Sequence, residues 1–415
     1  MNFIKNVAST TASISAFIGI QLVACLSLAQ AAPYTPTSDA MVVESLPGRA
    51  SDPALKRVDS LRKQLAARPD DAGLRVEIAR RYFDMAMAQG DPRYVGYASA
   101  AITPLAKAAP LNSNSSASTS TQADYALVLG LIQQFSHEFE PALASLAKAS
   151  QLNPQSPEPL LWRSAIFMVL ARYPEASTEC QRAMPLAEPL VGAGCSAYVD
   201  ATTGQLDAAY AKLLAAVAAA PQATPELLLW QATRLAEMAW RLGRFDTAEG
   251  HFKSALKQGV TDQFLLGAYA DFLLARQRPM EVIRLLADWE RSDSLLLRLA
   301  LAGKTTGDKR SIDWATQLRD RFVAAALRGD RLHEQEAARF ELDIEGNAGR
   351  ALKLANANYK IQKEPRDAEI LMRAAIAAQQ AQTAQVAMDW LRTSRYQDPA
   401  LQALAGQLVA LGATR

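Results

Sequence analysis

Five times along this chain a small residue is followed four positions later by a bulkier one, and the copies keep step. The small residues are Ala142, Ala176, Ala209, Ala248 and Val282, and the bulkier ones are Leu146, Cys180, Leu213, Phe252 and Leu286. Subtracting successive positions of the small residue gives intervals of 34, 33, 39 and 34. Two antiparallel helices approach closely only where small side chains meet at their crossing. A bulky residue one turn away then fills the space against the next unit. Each helix pair built this way keeps an apolar face that only the following pair can cover, so the chain must fold as a stack of several units.

The segment Gly130 to Pro154 carries the fullest copy: Gly130 for close approach, Phe139 opening a second helix, then Ala142, Leu146 and Ala149, closed by Leu152-Asn153-Pro154. It resembles the tetratricopeptide repeat (TPR), whose period is also near 34. The resemblance implies an all-α, right-handed α–α superhelical solenoid, here of about nine antiparallel helix pairs. Proteins of this family are generally adaptors rather than enzymes, so the resemblance also implies a protein or peptide partner held in a concave groove.

The rest of the chain agrees with helices. Half of it is hydrophobic, aromatics are only 7%, and Ala and Leu, two strong helix formers, dominate. No run alternates apolar and polar residues as a half-buried strand would. Lys plus Arg number 44 against 42 Asp plus Glu, so the basic excess expected of a nucleic-acid binder is missing.

The expected organisation runs as follows. Residues 1–31 read as a secretory signal, with Lys5, an apolar stretch from Ile14 to Leu28, and Ala29-Gln30-Ala31 before a cut at Ala32. The stretch is too short for a transmembrane anchor, which needs ~20 residues. Leu22-Val23-Ala24-Cys25 offers a competing lipoprotein cut with Cys25 lipidated. Against it, the apolar run continues past the cysteine. A soluble periplasmic protein with no membrane span after cleavage is the favoured reading; an outer-membrane lipoprotein is the alternative. Residues 32–51 form an extended lead-in, 52–109 the N-terminal helical pair or pairs, 110–122 a polar linker, 123–290 the regular array, and 291–415 degenerate pairs.

No phosphate loop or nucleophile elbow is present, and no cofactor is expected. His333, Glu334 and Glu336 could share a metal, but such sites usually recruit three or more ligands. A solvated helix face over 328–339 is the simpler reading; the alternative is an enzyme that uses the helical scaffold to hold a site near 328–339. His137 and His251 fall at positions that are usually exposed. Carried over residue by residue, the groove-facing positions of the resemblance include Tyr198, Trp230, Thr233, Glu237, Arg241, Phe264 and Asp271. Aromatics beside charges suit a peptide or partner segment, although Trp230 and Phe264 could equally pack between helices. Trp162, Trp240, Trp289, Trp314 and Trp390 read as core.

Cys180 and Cys195 are the only cysteines left after signal removal, and an even pair in an oxidising compartment points to a disulfide. They lie almost equidistant from a turn near Ala187-Glu188, on the second helix of one repeat and the first of the next. Residues so placed in an antiparallel hairpin stand side by side. Without a Cys-x-x-Cys motif, the bond is expected to be structural.

Overall fold

A computed structural model describes residue 38 and residues 52–107, 119–329 and 333–413. The chain divides into two units, Met1–Asp52 and Pro53–Arg415. Of the first, only Ser38 and Asp52 are described. The signal segment, its cut at Ala32, the Cys25 lipobox and residues 110–118 of the polar linker therefore lie outside the described residues.

The second unit is a run of helices with no strand among the described residues: α1 (Pro53–Ala67), α2 (Ala72–Gln89), α3 (Arg93–Lys107), α4 (Thr119–Phe135), α5 (Phe139–Leu152), α6 (Glu158–Val169), α7 (Tyr173–Ala183), α8 (Pro189–Thr202), α9 (Leu206–Ala218), α10 (Pro225–Arg241), α11 (Phe245–Leu256), α12 (Gln263–Ala275), α13 (Pro279–Leu285), α14 (Asp293–Thr306), α15 (Ser311–Leu327), α16 (Glu334–Asp343), α17 (Ala348–Tyr359), α18 (Pro365–Ala377), α19 (Gln385–Ser394) and α20 (Pro399–Ala413), with a short 3-10 turn at Ala381–Ala384. Nine antiparallel pairs run from α2/α3 to α18/α19, flanked by α1 and α20, and each pair packs on the next. The polar linker is shorter than expected: residues 119–122 already belong to α4.

The TPR-type architecture rests on the residues that announced it. All ten members of the registered small and bulky set are at most 1% exposed. Gly130 belongs to the same crossing, since a Cβ placed there would come within 2.7 Å of Leu146 Cγ. Helix starts are fixed locally. Asp71, Thr224 and Asp262 each accept a hydrogen bond from the third backbone N–H beyond them, and proline follows Thr224 at the first helical position.

A second register marks the turn inside each pair. Its central residue takes a left-handed backbone at His137, Ala171, Gly204, Gly243 and Gln277, with φ between 57° and 92°. These positions lie five residues before the small residues and so share their intervals. Glycine occupies the position without strain, whereas L side chains resist it by roughly 1–2 kcal/mol. Gln277 is exposed there. Gln277→Gly is therefore expected to stabilise the chain by about 1 kcal/mol, read as a higher denaturant midpoint with an unchanged slope.

Successive turns of the superhelix also touch. At the first pair, Met87 accepts a hydrogen bond from Gln263 Nε2 of the sixth at 3.3 Å. At the third, the Val169 carbonyl accepts from the Lys363 N–H at 2.8 Å and the Tyr173 hydroxyl accepts from Trp390 Nε1 at 2.6 Å, both just before or within the ninth pair. At the fourth and fifth, Gln397 accepts from the Leu206 N–H and from Arg241. Gly204 lets this approach happen, because a Cβ there would stand 2.9 Å from Arg395 Cβ. The solenoid is thus wound tightly enough for one turn to rest on the next.

No described helix is long and apolar enough to cross a membrane.

Candidate functional site

The sequence-selected residues all lie on first helices of their pairs and divide into four groups. Tyr198 on α8 and Trp230 and Glu237 on α10 are half-buried. Thr233 is turned inward, 9% exposed, with its hydroxyl donating to Leu229 O of its own helix at 2.9 Å. Arg241 and Asp271 are committed to internal partners. Phe264 is 52% exposed at the start of α12, so it is not packed between helices.

Between Tyr198 and Trp230 lies a residue the sequence reading missed. The Arg234 guanidinium stands 3.9 Å from the Tyr198 ring centre and 4.4 Å from that of Trp230. Cation–π contact with both rings holds it in place. Its Nε and Nη1 are buried without a hydrogen-bond partner. The signal was available in principle, since Arg234 follows Trp230 by one helical turn and shares its face.

Charge across the hollow is arranged in opposing sets. Burial pushes Arg234 down, while Tyr198, Glu237 and Glu364 favour its charged form. Burial raises the Glu237 carboxyl, countered by Arg366, Arg234 and Arg241. Arg366, on α18, is raised because Glu364, Glu237 and Asp271 outweigh the cost of its surroundings. Arg366 and Glu369 are exposed. Burial likewise raises the Tyr198 hydroxyl.

On α12, Asp271 accepts from Arg298 Nη2 at 2.5 Å and from Arg339 Nη1 at 2.8 Å. Arg298 is 4% exposed and also donates to the Gly267 and Ser294 carbonyls. Arg241 donates to Ala201 O and Gln397 O and lies 3.7 Å from the Tyr396 ring centre. These arginine and aspartate side chains join pairs to one another.

Cys180 and Cys195 are bonded, with Cα atoms 5.6 Å apart across 15 residues of sequence. The Ser164 hydroxyl lies 3.2 Å from Cys180 Sγ and donates to Ala176 O, so the bridge sits in a closed part of the core.

The histidine region is sparse. His333 Nδ1 stands 4.0 Å from the Glu336 carboxylate, and its Nε2 has no partner. Among the described residues no three His, Cys, Asp or Glu side chains are grouped as metal ligands. His137 and His251 are half-buried rather than exposed: His137 stacks on Phe139, and His251 shares a 2.9 Å hydrogen bond with the Tyr210 hydroxyl. Of the tryptophans read as core, Trp314 and Trp390 are buried, and Trp162, Trp240 and Trp289 are half-buried against it.

No protein-family model matches the sequence, and no curated protein does. Among solved structures the chain is similar to the APC/C hetero-tetramer Cut9-Hcn1 at 15% identity and a TM-score of 0.38, over 77% of this chain and 52% of that one. It thus spans about half the length of that relative. It is similar to a tetratricopeptide repeat protein from Parabacteroides merdae at 16% identity, a TM-score of 0.37, and coverage of 61% and 99%. It is also similar to yeast Tom70 at 12% identity, a TM-score of 0.41, and coverage of 87% and 85%.

Proposed function

We propose that this chain is an exported, periplasmic TPR-like adaptor that binds a segment of another envelope protein in the hollow of its superhelix. The observation that carries this reading is the wall around Arg234. A guanidinium clamped between two aromatic rings keeps N–H groups unused. Glu237 stands one helical turn further along α10, and the positive charge of Arg366 acts on it. Such a surface can offer a passing peptide an aromatic bed, a donor fork for a carbonyl or carboxylate, and an acidic group for a basic side chain. The reading is that of a binder and not of an enzyme. His333→Ala is accordingly expected to leave partner retention unchanged.

The test is affinity capture with the mature chain from its own periplasmic extract, then repetition with Trp230→Ala after circular dichroism has verified the fold. Removing a central interface aromatic commonly costs ~2 kcal/mol, roughly thirtyfold in affinity. An unchanged affinity in a folded variant would rule out this wall as the binding face.

The export reading has its own check. N-terminal sequencing or intact mass of the mature chain is expected to give a start at or near Ala32. A start at an acylated Cys25 would instead favour a lipid-anchored outer-membrane assembly factor.

A further inference from the structure

A second recess lies away from the Arg234 wall, on the seam where the third pair meets the eighth and ninth. It has a volume of about 660 Å³ and is bounded by Tyr173, Tyr359, Lys360, Lys363, Val386 and Trp390. That size falls in the range of small-molecule sites. Two features of its lining point to the same chemistry. Among the described residues, neither the Lys360 nor the Lys363 ammonium has an ion pair or hydrogen bond. The Tyr173 hydroxyl already accepts from Trp390 Nε1, so its own proton remains available to donate. The recess thus presents donors and positive charge. Its carboxylate, Asp389, is occupied by Gln385 Nε2 at 3.2 Å and Arg392 Nη2 at 3.1 Å. Beside these groups stand apolar surfaces, Trp390 and the 53% exposed Val386.

We propose that this seam recess binds a small organic anion, with its acid group held by Lys360, Lys363 and the Tyr173 hydroxyl and its apolar body against Trp390 and Val386. Because Ala171 and Tyr173 belong to the turn of the third pair and the start of α7, and the lysines to the loop between α17 and α18, the ligand bridges two superhelical turns. Occupancy then tightens the contact between them.

The experiment is calorimetric titration of the mature protein with phenylacetate, phenyl phosphate and phenylacetamide, paired with thermal melting. One or both acids are expected to bind saturably and raise the melting temperature, and the uncharged amide to bind at least tenfold more weakly. Whichever acid binds more tightly assigns the head group as carboxylate or phosphate. Lys360→Met/Lys363→Met is expected to weaken the preferred acid at least tenfold, since charge-assisted hydrogen bonds are individually worth about that factor. Absence of saturable binding by either acid at millimolar concentration, equal binding of acid and amide, or indifference to the double lysine variant would each overturn the proposal.

Discussion

Asp271→Ala is expected to lower the unfolding free energy by about 3–5 kcal/mol. The reason is asymmetry. Asp271 on α12 is the carboxylate between Arg298 of the next pair and Arg339 of the one after. With the acid removed, two guanidiniums are left facing each other in the hollow, one of them 4% exposed. Removing one partner of a buried ion group costs more than the intact group contributes. The carboxyl shows the same balance: burial works to raise it, but Arg298 and Arg339 hold it well below the usual carboxylate range. A depressed folded-state value contributes stability that is complete above the unfolded pKa, near 4, and lost as pH falls through the folded value. Wild type should thus lose stability below about pH 4 more steeply than Asp271→Ala, whose deficit is already present at neutral pH. Urea midpoints at pH 7 and pH 3 measure both effects. A change within about 0.5 kcal/mol at pH 7 would show that the three side chains are not coupled as described.

Reducing the Cys180–Cys195 bond is expected to lower stability by about 3 kcal/mol. The bond closes a loop of 15 residues, and the loss of chain entropy in the unfolded state corresponds to roughly that figure. Cys180 is also one of the five bulky residues of the repeat, 1% exposed, so its sulfur fills a core position in either redox state. The comparison that isolates the cross-link is oxidised against reduced wild-type protein, with urea midpoints recorded on each. Thiol titration of the unfolded, unreduced protein, with the reactive positions mapped, should find neither Cys180 nor Cys195 free. Both of these thiols free, or midpoints that coincide, would defeat the expectation.

The parts of this fold legible in the sequence are those set by neighbouring helices. The small residue at Ala142 and its four copies, and the bulky residue after each, are dictated by a crossing between helices adjacent in sequence, and all ten are buried. The cysteine pair was legible for the same reason, since its two helices share one turn. Other features depend on rotations that accumulate over several repeats. Arg339 reaches Asp271 across 68 residues and Trp390 reaches Tyr173 across 217. No local spacing encodes either contact. Asp271 and Arg241 therefore looked like open groove residues when they are in fact ties between pairs. Trp390 was correctly read as buried, but its indole N–H serves a neighbouring superhelical turn. Arg234, the best-placed guanidinium in the hollow, was passed over because its value comes from being clamped between two rings on different helices.

The resting of one turn on the next changes how the array responds to being pulled. An open solenoid behaves as a soft spring and lengthens by slight changes at every junction. A coil whose turns already touch resists extension until the touching points give way. Here those points include polar ones, Gln263 on Met87, Lys363 on Val169, Trp390 on Tyr173, and Gln397 against Leu206 and Arg241, and apolar ones at Ala171 and Ile361. Tension applied across Pro53–Arg415 would thus meet an initial stiff regime, then a yield, and only afterwards the gradual peeling of individual helix pairs.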